Sequence, residues 1–444
     1  QYAEDKLSED AGELERCERR HAAYYAELLA RSGPALRDGR QVAALAEVSL
    51  ELENARRAWV VTSARGWTDL LSTALDGLCE ALSIRGRYRD ALSLLELAAG
   101  AVEARGAAQA DLAGRLLVWQ GTMCLHMGMY GEARQRLRDG CRRLFRTRAV
   151  RPRVLAALGL GRTADFEGQA RRAERLATLA AGWARACGDT WALACSLGFY
   201  GSLLKQAGRP QEAWAVLQEG VAVGRAAGDR RCLTVSLSAL ADMAADLGDY
   251  GRAEELYQEC LELGRELGDR YREGVHLNNL GTVAHLAGDL DGAERLYLQS
   301  LSVCREIGDR SGEGLALSNL GETALARGAL AEAEQYCAQA LALGRAIGDQ
   351  WAVASALNAL GQIACARGDM AAARQGALEG LAVGRAADLP MMVCRALVTA
   401  AEVLLHEKKR EPAAGLLTAV LGEPAAEEDV RRRARRLLED AGAP

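Results

Sequence analysis

The sequence has few residues that interrupt helices, and it lacks the segments that mark membrane or secreted proteins. Its 444 residues include only seven Pro and three Phe, and a chain so poor in Pro can run in long helices. No run of 18 apolar residues is free of charge, so we predict no transmembrane helix. The first ten residues contain no apolar signal region. They also lack an initiator Met, and we expect the chain to be part of a longer protein.

Cysteine patterns typical of metal or disulfide frameworks are absent. Twelve Cys are scattered along the chain, and no two form a C-x-x-C pair. Several fall at helical positions that suit a small apolar residue, such as Cys260, Cys304, Cys337 and Cys365. We therefore expect a reduced cytosolic protein without a metal site.

The known catalytic signatures are missing as well. There is no G-x-x-x-x-G-K-[ST] loop, no H-E-x-x-H and no G-x-S-x-G, so we expect neither P-loop ATP hydrolysis nor catalytic residues. None of the five His pairs with a Cys at ligand spacing, and no cofactor is predicted. The net charge of −5 is close to balanced, which argues against nucleic-acid binding by the chain as a whole.

The sequence does contain a repeat with a period of 40 residues. Residues 231–270, 271–310 and 311–350 carry the same pattern. In the middle copy, apolar residues recur at helical spacing from Val275 to Leu286, and Gly288-Asp289 then breaks the pattern. A Gly can end a helix in the left-handed conformation, and the Asp after it can cap the next helix. Each copy therefore predicts two antiparallel helices that bury their apolar faces only by stacking on further copies.

Small residues recur at two fixed positions of this unit. We call them the glycine site, in the first helix, and the alanine site, 12 residues later in the second. The glycine site is occupied by Cys79, Gly121, Gly161, Gly201, Ala241, Gly281, Gly321, Gly361 and Ala401. The alanine site is Ala in all nine copies: Ala91, Ala133, Ala173, Ala213, Ala253, Ala293, Ala333, Ala373 and Ala413.

With Leu280-Gly281, Ala293, Tyr297 and Ser300, the unit resembles the tetratricopeptide repeat (TPR) over roughly residues 66–424. The period is 40 residues, whereas about 34 is usual. HEAT and armadillo repeats come closer in length, but the small-residue positions fit the tetratricopeptide packing, and the extra residues are expected to lengthen both helices. The resemblance implies an all-α, right-handed α-solenoid of about nine helical hairpins, with an N-terminal helical pair and a C-terminal capping helix.

We expect three segments: an N-terminal helical segment (1–65), the repeats (66–424) and a capping helix (425–444). Helices are predicted at about 13–30 and 42–64. This segment resembles the link between the ATPase and the repeat sensor of STAND-type signalling ATPases, and QYAEDKL (1–7) resembles the last helix of their winged-helix part. Maltotriose-responsive activators and SARP-type regulators share that layout. In this family the sensor holds the ATPase off until an inducer binds.

By the pattern of the family, the concave face is lined by residues three before, one after and four after the glycine site. That row could hold a peptide, a sugar or a partner loop, or it could be a solvated groove without a ligand. We expect ligand contacts from Ser202, Lys205, Ser238, Asp242, Asn278, Thr282, His285, Ser318, Glu322, Asn358 and Gln362. Gly198, Ala245, Leu325 and Cys365 complete the row.

Three other groups of residues have both a functional and a structural interpretation. Asn279 and Asn319 lie beside the packing site, where we favour hydrogen bonds between repeats over ligand contacts. Each of Trp191, Tyr271 and Trp351 stands at the start of a repeat. We expect these side chains to pack on the preceding repeat in preference to anchoring a partner. An Arg-rich stretch at 134–153 could bind phosphate, nucleic acid or an acidic surface of a neighbouring domain, or could be a solvated face. Its candidate contact patch is Arg142, Arg143, Arg146, Arg148, Arg151 and Arg153.

The sequence therefore predicts recognition, not catalysis. The leading hypothesis is the cytoplasmic sensor module of a bacterial STAND-type ATPase with a role in transcription regulation, which binds a protein or small-molecule inducer and controls the ATPase of the same chain. The alternative is a stand-alone scaffold that binds a peptide or helix of a partner. Nucleic acid and membrane are not expected partners.

Overall fold

A computed structural model describes residues 11–103, 109–145, 147, 150–423, 426 and 428–440. Every regular element among these residues is an α-helix, apart from a single 3-10 residue before one of them. Residues 1–7, Arg146 and Arg148, on which some expectations rest, lie outside the described residues. The helices are α1 Ala11–Ala35, α2 Gln41–Leu50, α3 Leu52–Arg65, α4 Thr68–Ile84, α5 Tyr88–Glu103, α6 Ala110–His126, α7 Tyr130–Leu144, α8 Val150–Phe166, α9 Ala170–Cys187, α10 Thr190–Gln206, α11 Pro210–Ala227, α12 Arg230–Asp246, α13 Tyr250–Leu267, α14 Arg270–Ala287, α15 Leu290–Ile307, α16 Arg310–Ala326, α17 Leu330–Ile347, α18 Gln350–Arg367, α19 Met370–Ala386, α20 Pro390–His406, α21 Arg410–Gly422 and α22 Glu428–Asp440.

The chain divides into two compact units, Gln1–Arg270 and Tyr271–Pro444, which we call unit 1 and unit 2. From α4 to α21 the helices pair into nine hairpins, each with one glycine site and one alanine site. This confirms the all-α hairpin array. In its regular part the helices are 17 or 18 residues long, as the 40-residue period requires.

The Gly-Asp pairs form the turns that the sequence predicts. Gly308 ends α15 in the left-handed conformation with φ 72°. Asp309 then caps α16 by accepting a hydrogen bond of 3.1 Å from the backbone N–H of Gly312. Asp349 caps α18 in the same way, over 3.0 Å from Ala352. Each Asp satisfies a backbone donor that the first helical turn leaves open.

The two small-residue sites set the distance between the helices of a hairpin. All nine residues at the alanine site are at most 1% exposed. At the glycine site of α14, a Cβ on Gly281 would lie 2.7 Å from Cε1 of Tyr297. A larger residue at either site would therefore push the two helices apart, which costs energy in a close-packed interior.

The N-terminal helices share an apolar core with the first hairpins of unit 1. Leu29 of α1, Trp59 of α3 and Leu71 of α4 belong to one buried cluster. Trp59 also donates a hydrogen bond of 2.8 Å from its indole N–H to the carbonyl of Leu94. In unit 2, Val430 and Ala434 of α22 pack on the last hairpin.

The structure differs from expectation in three details of unit 1. Helix α1 continues through Pro34, because Leu36 still donates to the carbonyl of Ser32 over 2.8 Å. The second N-terminal helix is interrupted at Glu51, whose carboxylate accepts a hydrogen bond of 2.9 Å from Tyr25. Cys195 and Cys232, on α10 and α12, form a disulfide with Cα atoms 5.4 Å apart, whereas reduced thiols were expected.

None of the described helices has an apolar stretch long enough to cross a membrane.

Two turns of unit 2 differ in the residue that takes the left-handed backbone conformation, and this residue affects the stability of the fold. Gly368 ends α18 with φ 78°, while Lys408 takes φ 63° after α20 without being a Gly. Because left-handed backbone costs a residue with a side chain about 1 to 2 kcal/mol, we expect Gly368→Ala to lower the free energy of unfolding by about 1 kcal/mol. Lys408→Gly should raise it by up to about 1 kcal/mol.

The thermal midpoints of the two variants, measured by circular dichroism on the full chain, should move in opposite directions. A Lys408→Gly variant that melts below the wild type would contradict the assigned turn.

Candidate functional site

The candidate site lies in unit 2, on the face formed by the first helices of successive hairpins. Helices α14, α16, α18 and α20 lie side by side there, and each presents the positions one and four residues after its glycine site. We call these positions the unit-2 row. Its members are Thr282, His285, Glu322, Leu325, Gln362, Cys365, Glu402 and Leu405.

A cavity of about 270 Å³ opens along this row. Its lining combines charged side chains of both signs with apolar side chains. Three of the residues expected from the sequence, His285, Glu322 and Gln362, are brought together in its wall. The remaining lining residues are Leu325, Ala326, Ala359, Arg395, Val398, Val430 and Arg433.

An ion pair crosses the cavity wall. Nη1 of Arg395 on α20 donates to Oε1 of Glu322 on α16 over 2.7 Å. The Arg395 side chain is 17% exposed and that of Glu322 is 35% exposed, so the pair is partly desolvated but open to the cavity. Arg433 of α22 pairs with Glu402 of α20 at the same face.

Two hydrogen bonds fix the neighbouring polar side chains. Nδ1 of His285 lies 3.0 Å from Oγ1 of Thr323, on the next first helix. The hydroxyl of Tyr297 donates to Oγ1 of Thr282 over 3.1 Å. Burial raises the pKa of Tyr297 to about 12, so this hydroxyl keeps its proton. Thr282 and His285 are therefore held in place before any ligand arrives.

The predicted Asn and Ser positions, three residues before the glycine site, are buried instead of facing the cavity. Asn278, Ser318 and Asn358 are 7%, 3% and 1% exposed. Nδ2 of Asn319 donates to Oδ1 of Asn278 over 2.9 Å, which agrees with hydrogen bonding between repeats for Asn319. Nδ2 of Asn358 donates to the carbonyl of Met392 over 3.0 Å. These amides join consecutive first helices.

The predicted residues of unit 1 are engaged within that unit. Ser202 donates to the carbonyl of Gly198 over 3.1 Å, and Nζ of Lys205 lies 2.8 Å from Oδ2 of Asp246. Oγ of Ser238 lies 3.5 Å from Sγ of Cys260. Asp242 accepts a hydrogen bond from the hydroxyl of Tyr257, and burial raises the pKa of this carboxyl.

The described members of the Arg patch do not form one basic surface. Arg142 is exposed and pairs with Asp139 on the same helix over 2.8 Å, and Arg143 is exposed as well. Arg151 turns inward to Glu80, and its guanidinium carbon lies 4.5 Å from the ring centre of Trp191. Arg153 is half-buried beside Trp183.

The three aromatic residues that open repeats differ in exposure. Trp191 is half-buried under Arg151, as a packing role requires. Trp351 is half-buried, and Tyr271 is 46% exposed.

Sequence reasoning did not find Arg395 and Arg433. Arg395 lies six residues before the glycine site of its hairpin, and the motif assigns no role to that position. Arg433 lies in the capping helix, where a run of Arg predicts only a solvated face. A signal for Arg395 does exist, since it is an Arg on the first helix of a hairpin whose other residues there are mostly apolar.

Comparison with known proteins supports this architecture. Models described as tetratricopeptide repeat match residues 232–306 and 315–347. No curated protein sequence is similar enough to count as a relative. The hairpins within these two stretches are thus of the tetratricopeptide type.

Three solved structures share the fold at low sequence identity. A Rap protein complexed with competence and sporulation factor has a TM-score of 0.58 and 12% identity, over 86% of this chain and 99% of that chain. The quorum sensor NprR from B. thuringiensis, in its apo form, has a TM-score of 0.56 and 14% identity, over 76% of this chain and 97% of that chain. A STAND protein with a tetratricopeptide repeat sensor from Pyrococcus horikoshii has a TM-score of 0.52 and 13% identity, over 87% of this chain. This chain matches only 53% of the length of that STAND protein.

The buried amide of Asn358 should matter for stability. Asn358→Ala leaves the Met392 carbonyl without its donor, and we expect the free energy of unfolding to fall by about 1 to 3 kcal/mol. Gln362→Ala, one turn further along the same helix, should change it by less than about 0.5 kcal/mol, since Gln362 faces the cavity. Thermal unfolding of both variants provides the comparison, and equal midpoints would contradict the assigned role of Asn358.

His276 should make unit 2 sensitive to acid. It is 2% exposed, and burial, together with the charge of Arg272, lowers its pKa to about 3. The folded state therefore binds fewer protons than the unfolded state below pH 6.5, so this stability is present above pH 6.5 and is lost as the pH falls towards 3. At pH 5 the loss is about 2 kcal/mol.

His276→Gln should remove this loss. The melting temperature of the variant minus that of the wild type should become more positive when the pH is lowered from 8 to 5. A difference that is the same at both pH values would contradict the prediction.

Proposed function

We propose that the chain is a non-catalytic recognition module and that its ligand binds in the cavity of the unit-2 row. The observation that carries this proposal is the convergence of Glu322, Gln362 and Arg395 on one partly apolar cavity. A small number of polar groups among apolar lining residues is typical of ligand sites.

The chemistry of the wall favours a peptide or a protein segment that carries both charges and an apolar side chain. The Glu322–Arg395 pair is open to the cavity on one side, so each partner can pair with a ligand group of opposite charge. Gln362 can both donate to and accept from a backbone amide. Val398 and Val430 can bury an apolar side chain of the ligand.

We further propose that this module is the sensor arm of a longer STAND-type ATPase. Two observations support this: the resemblance of the N-terminal segment to the link of those proteins, and the fold shared with a STAND sensor. Two of the solved structures with this fold are a quorum sensor and a protein bound to a signalling factor. An inducer that moves a two-state arm from 1:99 to 99:1 must favour one state by about 5.5 kcal/mol.

The second candidate function is a rigid scaffold for a partner peptide or helix. The preformed hydrogen bonds of Thr282 and His285 favour it, because a site already held in place needs no rearrangement to bind. The two functions differ in whether the shape of the chain changes on binding.

Binding can be tested with a displayed library of random peptides selected on the full chain. Peptides recovered on the wild type should lose about tenfold or more in affinity against Glu322→Ala or Gln362→Ala. The matched control is the double exchange Glu322→Arg with Arg395→Glu, which keeps an ion pair while exchanging the positions of the charges. It should keep the thermal midpoint within a few degrees yet still lose these peptides, as measured by calorimetry.

Peptides that bind all variants equally would place the site elsewhere and contradict the proposal.

Small-angle scattering of the complex then distinguishes the sensor from the scaffold. A changed radius of gyration supports the sensor, and an unchanged one supports the scaffold. The reading frame upstream of Gln1 tests the ATPase separately: a P-loop and a winged helix there support the arm, and a start codon directly before Gln1 supports the scaffold.

A further inference from the structure

In unit 1, the loop at 36–41 contacts residues almost 190 positions later in the chain. Nε2 of Gln41 donates to Oδ1 of Asp229 over 3.3 Å. Nη1 of Arg230 lies 3.5 Å from the carbonyl oxygen of Gly39. The backbones also meet, since a Cβ on Gly228 would lie 2.7 Å from the backbone N of Gly39. The loop between α1 and α2 is thus docked on the start of α12.

Glu80 lies at the centre of this contact. It occupies the position one residue after the glycine site of the first hairpin, which in unit 2 faces the cavity, but here it is 2% exposed. Nη2 of Arg151 on α8 lies 3.1 Å from its Oε1, and Nε of Arg37 lies 3.9 Å from the same oxygen. One carboxylate therefore joins α4, α8 and the loop at 36–41.

Further charges surround Glu80. Arg231 and Asp229 approach from α12, and Asp76 from its own helix. Asp76 is paired with Arg115 of α6 over 2.9 Å. Asp189, at the start of α10, lies 3.6 Å from Nε of Arg151. The contact thus contains a network of buried and half-buried charges of both signs.

The network does not satisfy all of its buried polar atoms. Gln41 and Asp229 are 1% and 0% exposed, yet Oε1 of Gln41 and Oδ2 of Asp229 have no hydrogen-bond partner within the described residues. Buried acceptors without a donor weaken a contact. Burial raises the pKa of Glu80 to about 7, so its charged form is disfavoured in the docked state. These features suit a contact that can open.

We propose that the loop at 36–41 is a releasable latch, which docks on Glu80 and Asp229 and, when it opens, loosens α2 and the end of α1 while their apolar side chains stay in the core. The latch couples the start of α12 to the segment that begins at α1. The latch needs no ligand in unit 2, so its test is independent of the proposed function.

The direction of the pH effect follows from Glu80. Its pKa is higher in the docked state than the ordinary value of 4.5 that it regains when released. Docking therefore takes up a proton between pH 4.5 and 7, and the latch weakens as the pH rises through 7. Between pH 6 and pH 8 this amounts to about tenfold in the docking equilibrium.

Hydrogen exchange of the full chain, followed by mass spectrometry, tests the latch. Arg37→Ala should speed exchange in residues 36–50 by about tenfold while α4 to α11 keep their protection. The matched control is Arg31→Ala, which removes an exposed pair with Glu47 (2.7 Å) between α1 and α2, the two helices that the loop connects. It should leave exchange in residues 36–50 unchanged.

Two outcomes of this comparison would overturn the proposal. If Arg37→Ala and Arg31→Ala give the same exchange, the network does not hold the loop. If Arg37→Ala exposes α4 to α11 as well, the contact is part of the core and not a latch.

A second measurement uses the wild type and Glu80→Gln, so that the test does not depend on one variant. Protection factors of residues 36–50, corrected for the intrinsic pH dependence of exchange, should fall about tenfold from pH 6 to pH 8 in the wild type. They should change less in Glu80→Gln, in which Asp229, whose pKa burial also raises, still titrates. Wild-type protection that does not change with pH would contradict the central role of Glu80 and overturn the latch.

Discussion

The close approach of the two helices in each hairpin is the constraint on which the rest of the structure depends. It requires a side chain no larger than a methyl group at the alanine site, and all nine of these residues are buried. With the helices this close, first helices form one face and second helices the other. Side chains at a fixed offset from the glycine site therefore recur on the same face, and the unit-2 row follows from that regularity.

The two units use the same positions of this face differently. In unit 2, the position one residue after the glycine site carries Glu322 and Gln362, which border an open cavity. In unit 1, the corresponding Glu80 is buried under Arg37 and Arg151. The hairpins are alike, and the difference comes from the loop at 36–41 and from α8, which cover Glu80. The same type of hairpin thus borders an open cavity in unit 2 and takes part in an internal contact in unit 1.

Much of the fold could be predicted from the sequence, because it depends on local chemistry. A Gly followed by Asp is sufficient to end one helix and begin the next, and Gly308-Asp309 does so. The site was only partly predictable. His285, Glu322 and Gln362 were found from their offset, but Asn278 and Asn358 are buried, since the same offset does not say how closely the next helix packs. Arg395 and Gln41 were not found because their partners lie 73 and 188 residues away, and no local pattern records such distances.

The Glu322–Arg395 pair has a mechanical consequence. In a linear array of repeats each hairpin touches only its neighbours, so the hairpins can separate one after another. This pair reaches from α16 to α20 and passes over the hairpin of α18 and α19. Pulling the ends of unit 2 apart would strain the pair before the intervening hairpin could straighten away from its neighbours. The pair thereby couples the bending of three hairpins. A ligand that separates Glu322 from Arg395 would change the stiffness of unit 2 in addition to filling its cavity.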